Sequence, residues 1–134
     1  MKTSQARGTV AAGLLALAFS AAPAPVFGQG MGMAKPESQD VTVRGVVVDV
    51  SCKFGQGLTG DQHRMCAQVC ADRGIPLAIL ADDGTLYIPT SAAMPGDAQN
   101  GRLKEFAEQH VTVRGKSFAA GGSRALQIAT IQRS

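Results

Sequence analysis

Valines alternate with threonine and arginine in the pentapeptide VTVRG, which occurs at 41–45 and again at 111–115. A period of two is the mark of a strand with one wet face. After Gly45 the apolar positions Val46, Val48 and Val50 switch phase relative to Val41 and Val43. A bulge or sharp coil at Gly45 would turn both sets inward and let one long strand serve two sides of a small barrel. Apolar runs at 75–81 and 85–89 are split by Asp82-Asp83-Gly84, a hairpin signal. Residues 91–101 are rich in Pro, Gly and Asn and read as a loop. Leu103, Phe106 and Ala107 then fall at helical spacing, predicting a short helix over 102–109. Two further strands, 110–118 and 124–131, flank Ala119-Ala120-Gly121-Gly122.

Between the first two strands, 61–73 reads as another helix. Thr59 or Asp61 would cap its start, and Gly74 with Pro76 would stop it. The sum is a mainly β chain with short helices. It predicts a five-stranded OB-like barrel with one helix between strands 1 and 2 and another between strands 3 and 4.

The N-terminal pattern is of another kind. Lys2 and Arg7 precede an uncharged apolar run over 10–22 that breaks at Pro23 and Pro25. A basic start, a short apolar stretch and a small-residue exit predict a secretory signal over 1–28, and the run is too short for a membrane span. Cleavage after Gly28 would leave a flexible leader over 29–39 and one domain over 40–134. The expected location is periplasmic or secreted, with no membrane span after cleavage. Charge then changes meaning. The chain carries 13 basic and 10 acidic side chains, and losing Lys2 and Arg7 leaves 11 against 10. So balanced a surface, with one Tyr and no Trp, excludes a nucleic-acid partner.

All three cysteines fall within 51–70, together with His63. On a helix at about 100° per residue, His63, Cys66 and Cys70 lie within roughly 60° of arc. Cys52, expected at the end of the first strand, would reach them from outside. Three sulfurs and an imidazole match a four-coordinate Cys₃His set, suited to zinc or copper(I). The odd thiol count favours a metal, since exported proteins normally pair their cysteines. Two alternatives stay open. A disulfide from Cys52 to Cys66 or Cys70 would leave a spare thiol. Alternatively, Cys66 or Cys70 would be a redox nucleophile with His63 as its activator. Met31, Met33 and Met65 add a slight lean toward copper.

The stretches VRGVVVDVSC, GDQHRMCAQVCADRGIPLAIL, DGTLYIP and HVTVRGKSF together resemble a group of small exported bacterial proteins. These are OB-fold-like domains with a Cys/His-bearing insertion after strand 1. The resemblance covers about residues 41–131. It implies the barrel and marks Cys52, His63, Cys66 and Cys70 as characteristic positions, but implies no activity. This chain departs from the group at Lys53-Phe54, where an aromatic directly after the first cysteine is expected.

Other residues point to structure. Phe54, Phe106 and Phe118 are expected in the core, His110 on the surface, and Asp82-Asp83 in a turn. No Ser-His-Asp arrangement or phosphate loop is evident, so the sequence does not point to an enzyme. The expected partners are a metal ion and another exported protein. Without metal, the alternative is a disulfide-stapled module that holds a protein or glycan on its barrel face.

Overall fold

The computed structural model describes residues 36–134, so the expected signal over 1–28, the leader up to residue 35 and the Met31-Met33 pair lie outside the described residues. Strand β1 (Ser38–Asp49) runs into a short helix α1 (Val50–Gln56). A 3₁₀ turn (Asp61–His63) leads into α2 (Arg64–Asp72). Then follow β2 (Leu77–Ala81), β3 (Leu86–Pro89), α3 (Asn100–Leu103) with a 3₁₀ turn (Lys104–Phe106), β4 (His110–Ala120) and β5 (Ser123–Arg133). The strands close in the order β1-β2-β3-β5-β4, with β3 parallel to β5 and every other pair antiparallel. This is the expected OB-like barrel, with helices between strands 1 and 2 and between strands 3 and 4.

β1 begins at Ser38, so the last two residues assigned to the leader pair with Phe118 and Ser117 of β4. The two VTVRG copies lie on neighbouring strands and pair with each other. Val43 sits opposite Val113, Val41 opposite Gly115 and Gly45 opposite Val111.

Gly45 is where β1 passes from β4 to β2, since it pairs with both Val111 and Ala81. A Cβ there would run into the Leu80 carbonyl oxygen and lie 2.6 Å from Ala81 Cα. The glycine is therefore needed for a close backbone approach. The phase change expected at Gly45 does not occur. Val43 and Val47 share one side and join the same core, while Val48 is buried outside it. Pairing runs through Gly45 without a shift on either side, so the strand coils there and does not bulge. The bulge falls in the other copy, between Arg114 and Gly115.

The core combines Val43 and Val47 with Ile79, Val111, Val113, Leu126 and Ile128 from the other strands. Leu103 and Phe106 fill it from the β3–β4 connection, each worth ~1.5–3 kcal/mol of burial. The expected helix over 102–109 is shorter, ending where Glu108 takes a left-handed φ of 58°. Phe106 is core as expected. Phe54 instead is 63% exposed on α1, and Phe118 is only half-buried, because its neighbour Ser117 takes the buried face of β4 and successive strand residues point to opposite faces.

The first residue of α3 orients α2. The Asn100 side chain accepts from the Leu77 N–H (3.0 Å) and donates to the Ala71 (3.0 Å) and Ile75 (2.7 Å) carbonyls. It thereby joins the end of α2 to the start of β2. Among the described residues no helix is long and apolar enough to cross a membrane.

Candidate metal centre

Asp49 ends β1 as the N-cap of α1, its Oδ1 accepting from the Cys52 N–H at 3.0 Å. Cys52 therefore sits in the first turn of a helix and not at the end of the strand, a correction that follows from this cap. Gly57, at φ 69°, stops α1 and lets the chain turn back.

The expected helix over 61–73 is divided. His63 lies in the 3₁₀ turn, and Cys66 and Cys70 lie in α2. Neither Thr59 nor Asp61 caps it. The Thr59 hydroxyl (3.0 Å) and the Gly60 N–H (2.8 Å) donate to Oε2 of Glu108, a residue 48 positions away from Gly60. Toward the barrel, the buried stripe is His63, Ala67 and Ala71, with Cys66 exposed and Cys70 half-buried beside it.

Two sets of ligand atoms result. Cys52, His63 and Cys66 place a sulfur or ring nitrogen each within 4.8 Å of one another. Asp49, Cys52 and Cys70 do the same with a carboxylate oxygen and two sulfurs. Cys52 belongs to both. The structure thus brings His63 and Cys66 to Cys52 as predicted, and brings Cys70 to Cys52 on the Asp49 side. All three cysteines are free, so the disulfide alternative is not formed here.

The imidazole is held by chemistry. His63 Nδ1 lies 3.1 Å from Glu108 Oε1, and both side chains are buried. A carboxylate only accepts, so Nδ1 is the donor, and in the neutral ring the lone pair is then on Nε2. Nε2 is buried with no hydrogen-bond partner among the described residues. A histidine that donates one nitrogen to a carboxylate and offers the other is the usual arrangement of a metal-ligating imidazole. Glu108 is itself fixed on β1, because its N–H donates to the Val47 carbonyl at 2.7 Å.

The acid–base states follow from burial and neighbours. Burial alone would raise the Asp49 carboxyl, but the Cys52 N–H, the two thiols and the Ser51 N–H together hold it below its usual value. Burial, then the Asp49 charge, pushes the Cys52 thiol up. The Asp49 carboxylate, which the Cys70 thiol faces as a hydrogen-bond donor, and then burial push Cys70 up to about 12. Without a cation, Cys52 and Cys70 are therefore protonated at neutral pH. A metal must displace those protons.

Two members of this arrangement escaped the sequence reading. Asp49 carried a usable signal, a lone acid in the apolar run VVVDV three residues before a cysteine. Glu108 carried none, since its partners are distant in sequence and its backbone conformation is one that glycine or asparagine usually takes. His110, 61% exposed and 3.8 Å from Asp82, is the surface histidine expected. Comparison with protein-family models, with curated proteins and with solved structures finds no match for this chain.

Proposed function

We propose that this chain is an exported, periplasmic accessory protein that binds a soft metal, zinc or copper(I), in metal handling or in support of an exported redox system. Cys52, His63 and Cys66 supply two sulfurs and a nitrogen, and Cys70 joins the same centre through Cys52. In this reading the chain belongs with the small exported OB-like proteins that it resembles. The observation that carries the proposal is His63, with Nδ1 committed to buried Glu108 and buried Nε2 left without a partner beside two thiols. Buried polar atoms normally have a partner, so a bare ring nitrogen beside two thiols calls for an occupant such as an ion.

Metal analysis of the full chain, purified without chelator, tests this. At least one zinc or copper per chain is expected, with thiols slow to alkylate until the metal is stripped. His63→Ala should lose one equivalent. Metal-free protein that takes up neither ion, with His63→Ala behaving like the parent, would refute the proposal.

The pH dependence has a definite sign. Cys52 and Cys70 are raised, so protons compete with the metal, and each thiol proton released weakens binding about tenfold per unit of falling pH. The metal-free fold behaves in the opposite sense. Its Cys70 prefers the protonated form, so stability is complete below the ordinary thiol value of 9.0 and falls as pH rises toward about 12. Zinc titrations at two pH values, and alkaline melts of stripped protein, measure both.

A further inference from the structure

We infer that the centre holds two cations, with the Cys52 thiolate shared between them. This rests on the metal-binding proposal and extends it to Asp49. His63 and Cys66 complete one position and Asp49 and Cys70 the other, each ligand set lying within 4.8 Å.

The second position stands on Asp49. Its side chain is fully buried, and its Oδ1 is occupied by the Cys52 N–H. The other oxygen, Oδ2, has no close hydrogen-bond partner among the described residues. No lysine, arginine or histidine forms an ion pair with it among those residues. A helix cap needs one carboxylate oxygen. The second belongs to a buried carboxylate that only neutral groups, the Cys52 and Cys70 thiols among them, stabilise, and a cation would meet it far better. The atom lies in a side chain already grouped with two thiols.

Charge arithmetic points the same way. Two divalent ions balance the thiolates of Cys52, Cys66 and Cys70 and the carboxylate of Asp49; Glu108, held by its own three hydrogen-bond donors, stands outside this count. One divalent ion on Cys52, His63 and Cys66 is balanced alone and leaves Asp49 uncompensated. An oxygen donor also selects the metal class, since carboxylate suits zinc far better than copper(I). The pair of positions is therefore a thiolate-bridged zinc centre, and loading it releases the thiol protons to solvent.

Native mass spectrometry of the stripped full chain titrated with zinc alone reads the number of ions directly. Two per chain are expected. Cys70→Ser should stop at one, and Asp49→Asn should weaken the second ion by about 100-fold or more. Asparagine caps a helix as well as aspartate does, so Asp49→Asn keeps α1, which circular dichroism checks. His63→Ala should also stop at one, the ion on the Asp49 side. A single zinc that survives Cys70→Ser and Asp49→Asn but not His63→Ala overturns the second position and leaves the metal-binding proposal intact. One zinc lost in either Cys70→Ser or His63→Ala is a single four-coordinate centre and overturns it too. No zinc in the parent chain removes both proposals.

Discussion

Gly115→Ala should leave a chain that does not fold to the native barrel. A Cβ at this position would run into the Gln127 carbonyl oxygen and lie 3.0 Å from its carbon and 3.2 Å from Ile128 Cα. These are backbone atoms of the paired strand, so no rotamer change relieves them. The clash falls at the register shift between β4 and β5, where β5 already accommodates an extra residue. Overpacking a core with a methyl group typically costs ~1–3 kcal/mol because side chains yield. Here the backbone itself must move, and a cost above that range consumes much of a typical ~5–15 kcal/mol stability. Gly101→Ala is the matched control, since nothing lies within 4 Å of its added carbon. Far-UV circular dichroism and thermal melts of the two variants decide it. A Gly115→Ala protein that melts cooperatively at the temperature of the parent would show that the close approach is not required.

Glu108→Ala should damage both the site and the fold beneath it. The buried carboxylate accepts from the Thr59 hydroxyl, the Gly60 N–H and His63 Nδ1. Removing it strands the buried His63 Nδ1–H at ~1–3 kcal/mol, while exposed Thr59 and partly buried Gly60 can turn to water. It also frees the imidazole to rotate and to change tautomer. Losing such an outer carboxylate typically weakens metal binding ~10–100-fold. Glu108→Gln keeps one acceptor oxygen and turns an NH2 donor toward either His63 Nδ1 or the Thr59 and Gly60 donors. Metal-free melts should then fall between Glu108→Ala and the parent, whereas zinc affinity measured against a competing chelator stays reduced. Zinc affinity unchanged in Glu108→Ala would mean that His63 does not depend on its partner.

The elements built on local pattern were readable from the chain. Period-two valines, the Asp-Asp-Gly and Gly-Gly turns and the spacing of Leu103 and Phe106 specify strands, hairpins and a plug with no distant information. What failed depended on a partner far away. The phase at Gly45 is decided by which strand lies alongside, and β1 changes neighbours there without changing face. Thr59 would make a good cap in isolation, but its hydroxyl is turned to donate to Glu108 from across the fold, and the Gly60 N–H donates there too. Phe54 and Phe118 are apolar enough for a core, yet they lie at surface positions that composition does not reveal. The site divides in the same way. Helical spacing collected His63, Cys66 and Cys70, while the two carboxylates came from a strand end and a left-handed residue after a 3₁₀ turn.

A single stretch of backbone does two jobs. β1 seals the barrel against β4 over its first half, and over its second half it carries Val47, which anchors Glu108, and Asp49, which caps the turn bearing Cys52. An ion gripping Cys52 therefore also tightens the seam. Since such an ion binds only the assembled chain, occupancy and melting temperature must rise together. For a molecule this small, a bound ion would also be a brace.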